Sequence, residues 1–219
     1  MISENLENLY EKLEDKDQLV VVSKYRTVEE ITEVYDSGHR VFGENRVQAL
    51  LEREESLPED IKWHMIGHLQ RNKVKYIAPF IEMIHSVESE KLLKEINKEA
   101  KKNERIIPVL LQIHIAKEES KFGLSPQEVI ELIESESLSE MENIKICGLM
   151  GMATNTTDKE AVKTEFRGLK NLFLELKSNY FKDNTEFKEI SMGMSGDFQE
   201  ALECGSTMIR VGSLVFNNH

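Results

Sequence analysis

A lysine closes a short apolar run, Leu19-Val20-Val21-Val22-Ser23-Lys24. The run reads as a fully buried strand, so the lysine sits at the mouth of whatever the strand is built into. Apolar walls disfavour an ammonium ion there, and a neutral amine attacks carbonyls to form Schiff bases. Taken alone, a lysine so placed reads as one that snorkels to solvent. Two later segments change that reading. Ser191-Met192-Gly193-Met194-Ser195-Gly196-Asp197-Phe198 is a strand end, a small-residue loop and a helix start. Its glycines let the backbone approach an anion, the N–H groups of a helix start point at that anion, and the serine hydroxyl adds a donor. Thr207-Met208-Ile209-Arg210-Val211-Gly212-Ser213 then puts an arginine near the end of another strand, followed by Gly-Ser.

These three segments meet only if the chain brings its first and last strands together. Apolar runs predict strands over 19–24, 39–43, 61–66, 81–87, 106–115, 144–150, 189–192 and 207–211. Between them lie helix patterns, and a further helix over 2–14 precedes the first strand. Thr27-Val28-Glu29-Glu30 and Ser125-Pro126-Gln127-Glu128 are capping boxes. The strands are continuous apolar runs, as a covered parallel sheet requires. Eight such units in strict alternation predict an α/β fold, a single closed (β/α)8 TIM-type barrel over residues 1–219. The helix after strand eight is missing or very short, and the N-terminal helix is expected to cover that side. An open doubly wound sheet is the alternative. Closure sets strand eight beside strand one, so Lys24, Arg210 and the two Ser/Gly loops converge on one mouth. Phosphate sites of such barrels often form from the loops after strands seven and eight. A reactive lysine, a phosphate cradle and a fixed cation suit an aldehyde-bearing phosphate ester. Pyridoxal 5′-phosphate (PLP) is one, and a sugar-phosphate aldolase substrate is another.

Composition limits the partners. The chain has 219 residues and a formal net charge of −12, which argues against general affinity for nucleic acid or anionic membrane. Cys147 and Cys204 are expected to be reduced structural thiols. The N-terminus lacks the pattern of a signal peptide and no run is long enough to span a membrane, so the expected compartment is the cytoplasm. His64 and His68 are four residues apart, but His64 falls in a strand, and no metal site is expected.

The motifs carry a resemblance. Val22-Ser23-Lys24, Phe42-Gly43-Glu44-Asn45 with Val47-Gln48, Trp63-His64-x-Ile66-Gly67-x-Leu69-Gln70-x-Asn72-Lys73 and His85-Ser86-Val87 are similar to those of the pyridoxal phosphate homeostasis proteins, the YggS/PROSC family. So are Lys121-x-Gly123, Gly148-Leu149-Met150, Ser191-Met192-Gly193-Met194-Ser195 and Gly205-Ser206-Thr207-x-x-Arg210-x-Gly212. The resemblance implies a barrel like the N-terminal domain of alanine racemase (PLP fold-type III), with PLP held as an internal aldimine on Lys24. It implies that Ser195, Gly212 and Ser213 hold the phosphate with backbone help from Met194. Arg210 would face the pyridine nitrogen, Asn45 would lie near the ring, and Met150 and His85 would belong to the surrounding wall. The sequence departs from the family pattern at Tyr25, Arg46 and Gly196, all at the outer mouth.

The expected role is PLP binding in vitamin B6 and amino-acid homeostasis, with no catalytic residue assigned and with PLP-requiring apo-enzymes as candidate recipients. A racemase-like PLP enzyme is the alternative. Alanine racemase also has an arginine at the ring nitrogen, but it uses a tyrosine from a second domain. This chain ends soon after strand eight, so that tyrosine is not expected, nor is a dimer to deliver it.

Overall fold

The computed structural model describes residues 2–117 and 122–217. Eight parallel strands close into a barrel in sequence order. They are β1 Leu19–Val22, β2 Val41–Glu44, β3 Lys62–Met65, β4 Met83–Val87, β5 Ile107–Ile113, β6 Ile144–Gly151, β7 Glu189–Met194 and β8 Met208–Val211. The closing seam pairs Val20 with Arg210 and Val21 with Val211. The helices are α1 Ile2–Tyr10, α2 Val28–Asp36, α3 Val47–Glu54, α4 Val74–Ile77, α5 Glu90–Lys102, α6 Pro126–Glu134, α7 Glu136–Ser139, α8 Lys159–Asn179, α9 Phe198–Glu203 and α10 Ser213–Phe216. The closed barrel is the expected one; the open sheet is not formed.

Local chemistry explains most of the boundaries. Thr27 and Glu30 cap α2 reciprocally, and Ser125 and Glu128 do the same for α6. α1 stops at Tyr10, short of the expected residue 14, because after Glu11 the amides bond three residues back: Lys12 to Leu9 and Leu13 to Tyr10. α10 has four residues, too few to cover β8. α1 fills the gap: the Asn5 side-chain amide donates to the carbonyls of Val215 at 3.0 Å and Asn217 at 3.2 Å.

The strands face two environments. Leu19, Val21, Phe42, Trp63, Met65, Ile84, Val109, Leu111, Leu149, Ile190, Ile209 and Val211 belong to one large cluster with the helices' apolar faces. Burying each such side chain contributes about 1.5–3 kcal/mol before entropy is counted. Other strand residues turn into the barrel. There Met83, Leu110, Cys147 and Met150 form a separate small cluster, and His64, His85, Ser191 and Arg210 are buried beside it. No helix among the described residues is long and apolar enough to cross a membrane.

Candidate functional site

A cavity of about 520 Å³ opens at the C-terminal ends of the strands. Lys24, Asn45, Met194, Ser195, Arg210, Gly212 and Ser213 all line it. Its size is within the roughly 300–1,000 Å³ typical of small-molecule sites.

Lys24 enters this cavity from a turn, not from the strand. β1 stops at Val22, and the Arg26 amide closes the turn on the Ser23 carbonyl at 3.1 Å. Tyr25 sits at φ 64, a left-handed conformation that costs a tyrosine free energy and persists only where the surroundings impose it. Arg53 of α3 imposes it. Its guanidinium donates to the carbonyls of Ser23 at 3.2 Å and Arg26 at 3.0 Å, bracketing Lys24 and Tyr25. The same guanidinium pairs at 2.6 Å with the fully buried Glu44, which also accepts from the Ser23 hydroxyl at 2.7 Å. The other Glu44 oxygen is buried without a hydrogen bond. Arg53→Ala therefore strands a buried carboxylate and is expected to cost about 3–5 kcal/mol, read as a lowered midpoint of chemical denaturation. A midpoint equal to wild type would mean that water replaces the arginine.

The expected anion cradle joins the ends of two strands. The Gly212 amide after β8 donates to the Ser195 hydroxyl after β7 at 3.4 Å. A Cβ on Gly212 would come within 2.9 Å of the Val22 carbonyl oxygen, so the close approach of this turn to β1 requires glycine. Gly67 plays a similar part opposite, since its Cβ would lie 2.4 Å from the Asn45 carbonyl oxygen. The Met194 amide, expected to face the anion, instead donates to the Asp197 carboxylate at 2.6 Å. Gly196 has open space where a side chain would stand.

Arg210 reaches the cavity from β8 with its side chain almost wholly buried. It donates to the Ser191 hydroxyl at 2.5 Å and to the Gly151 carbonyl at 3.1 Å. Burial pushes its pKa down to about 10, against an opposing pull from Asp197, so it remains a cation at neutral pH. Two of its five N–H groups are used in these bonds, which leaves others for a ligand.

Two residues expected in the wall lie elsewhere. His85 is fully buried below Arg210, bonded to Ser191 and His64. Met150 belongs to the inner apolar cluster. The methionines that line the cavity are Met194 and Met152. Tyr25, His68, Gln112 and Phe122 also line it and were not singled out from sequence as site residues. His68 pairs with Glu88 at 2.8 Å and stacks on Phe122 with ring centroids 4.7 Å apart. The Lys121 of the Lys121-x-Gly123 motif lies outside the described residues.

Comparison with known proteins places this geometry. The family model described as the alanine racemase N-terminal domain matches residues 1–218. The pyridoxal phosphate homeostasis protein of Aquifex aeolicus is 40% identical over 200 residues, covering 91% of this chain and 86% of that one. The human protein of the same name is 39% identical over 211 residues, covering 91% and 75%. The structure of PipY from Synechococcus elongatus with PLP bound superposes with a TM-score of 0.89 at 32% identity, covering 99% of this chain and 100% of that one. An alanine racemase of Clostridium difficile shares the fold at a TM-score of 0.79 and 16% identity, and this chain spans 60% of its length. Closed barrel, cavity and relatives agree, and the chain belongs to the pyridoxal phosphate homeostasis family, built on the alanine racemase N-terminal domain.

Proposed function

We propose that this chain is a PLP-binding protein of vitamin B6 and amino-acid homeostasis that holds PLP covalently on Lys24 without efficient turnover. The observation that carries the reading is the convergence of Lys24, Arg210 and the Ser195–Gly212 junction on one cavity. The residues present suit the group. Hydroxyls and turn amides suit a phosphate, a buried guanidinium with unused donors suits a ring nitrogen acceptor, and an amine suits an aldehyde. That the relative PipY binds PLP supports PLP as the ligand here. PLP supplies an aldehyde that captures amines and a ring that withdraws electrons.

The chain's own residues divide the work. Ser195, Gly212 and Ser213 bind the phosphate, and Asn45, Met152 and Met194 bound the ring. Arg210 holds its N–H toward the ring nitrogen. Two cations cannot sit nose to nose there, so the nitrogen stays unprotonated. His85 and Met150 serve from one layer below. Residues 1–219 act as one barrel, a cytoplasmic monomer whose recipients are PLP-requiring apo-enzymes. The net charge of −12 keeps nucleic acid and anionic membranes out of this reading. The test is the visible spectrum of the protein with PLP, before and after borohydride, followed by transfer of PLP to an apo-enzyme. A colourless mixture with no reducible adduct would end the proposal.

The cradle has its own test. Each hydrogen bond lost to a charged group costs about 1.5–3 kcal/mol, or roughly 10- to 150-fold in affinity. Ser195→Ala is expected to weaken PLP by that factor and to leave pyridoxal, which has no phosphate, little changed. Equal losses for both ligands would place Ser195 at the ring or in the fold instead.

A further inference from the structure

Below Arg210 a line of polar groups continues through the barrel. Ser191 of β7 accepts from Arg210 of β8 at 2.5 Å. Its hydroxyl lies 2.9 Å from Nδ1 of His85 on β4, and Nε2 of His85 lies 2.9 Å from Nδ1 of His64 on β3. The four residues come from four strands, and none is more than 4% exposed. His64 in turn lines a second cavity of about 560 Å³, together with Lys62, Met83 and Met208 at the strands' N-terminal ends. The line therefore runs from the mouth of the barrel to its base.

We infer that Ser191, His85 and His64 are positioning residues for Arg210, a one-way chain of hydrogen bonds anchored at the basal cavity that fixes how the guanidinium meets the cofactor. The direction follows from counting hydrogens. Arginine only donates, so Ser191 accepts from it. Among the described residues the serine proton then has one acceptor, His85 Nδ1. That requires the proton of His85 on Nε2, which donates to His64 Nδ1, and the proton of His64 on Nε2, toward the basal cavity. The reverse order would leave a buried hydroxyl proton unpaired, which is costly. Burial pushes His64 down to about 3 and His85 well below the usual histidine value, so both rings are neutral and each holds one tautomer. Every dipole in the chain turns its negative end toward Arg210. Aligned bonds of this kind polarise one another and offset part of the cost of burying the cation. A barrel interior filled by methionine and leucine alone would leave the guanidinium free to swing away from Ser191.

The consequence for PLP rests on the function proposed above; the tautomers do not. Nitrogen-15 NMR of the apo-protein, labelled in histidine, reads them directly. Both His85 and His64 are expected to be protonated at Nε2 and bare at Nδ1. A proton on Nδ1 of His85 overturns the inference whatever the protein binds. The second arm uses PLP labelled at the ring nitrogen. His64→Leu removes the last acceptor, whereas His64→Asn places an amide oxygen near the lost Nδ1. The leucine variant is expected to move the ring-nitrogen resonance off its wild-type position and to weaken PLP about 10-fold, with the adduct on Lys24 retained. The asparagine variant is expected to restore both values. A wild-type resonance and affinity in His64→Leu would sink the positioning role. Failure of the wild-type protein to bind PLP would instead refute the proposed function, leaving the apo-protein measurement to decide the chain.

Discussion

Lys24→Ala is expected to abolish covalent attachment of PLP, and with it the visible band of the Schiff base. The residue lines the cavity from a turn that Arg53 brackets on both sides, so the amine is delivered by rigid structure and not by a mobile loop. No other lysine among the described residues lines this cavity. Lys62, Lys145 and Lys188 line the basal cavity at the far end of the barrel. Lys73 lies in the short turn Arg71–Lys73 before α4 and does not line the upper cavity. Borohydride reduction and peptide mapping should place the pyridoxyl group on Lys24. In Lys24→Ala the phosphate cradle persists, so PLP should still bind reversibly and dissociate on gel filtration. A reduced adduct on another lysine of the wild-type protein would overturn the assignment.

What sequence made legible here was periodicity and chemistry. The apolar runs announced the strands, and the parity of residues matches the two faces in β1, β2, β3, β5 and β8, whereas a register shift flips it within β4, β6 and β7. Val20, Val22 and Lys24 share one parity, as do Arg210 and Gly212, and the paired Val20 and Arg210 sit at the closing seam. What parity does not give is height along the barrel axis, which depends on strand tilt and register. Met150 and Met152 share a face, yet Met150 is packed in the inner cluster while Met152, just past the strand end at Gly151, lines the cavity. His64, His85 and Ser191 lie far apart in sequence: the pairing of β3 with β4 sets His64 near His85, and closure of the barrel brings Ser191 of β7 to His85. Ser191 is the first residue of the glycine-rich motif, whose residue types point to an anion loop and carry no sign that this serine lies beneath the arginine. The turn at Lys24 was hidden for another reason. A tyrosine at φ 64 is disfavoured locally, and the Arg53–Glu44 pair that enforces it comes from a separate element.

The protein is expected not to be an efficient amino-acid racemase or aminotransferase, and the reasons lie in the cavity. Arg210 is a buried cation held by Ser191 and Gly151, and in the proposed site its N–H groups would favour an unprotonated ring nitrogen. Such a ring withdraws electrons less strongly, so removal of an α-proton is helped less. The histidine and the tyrosine among the described groups at the mouth are both open to solvent. His68 is tied to Glu88 at 2.8 Å and stacked on Phe122, while Tyr25 is 78% exposed. Positioned acid–base catalysis is typically worth about 10²–10⁴-fold, and without it exchange should stay near that of free PLP with an amino acid. The measurement is α-proton exchange of alanine and serine in deuterated buffer, followed by NMR with free PLP as control. An added amino acid should still shift the visible spectrum, because displacement of the Lys24 amine needs only an incoming amine. Exchange far above the control, lost in Lys24→Ala, would replace the homeostasis reading with that of a PLP enzyme. Tyr25→Phe and His68→Asn would then show which of the two groups moves the proton. Exchange at the control level, together with transfer of PLP to an apo-enzyme, is the result that a carrier requires.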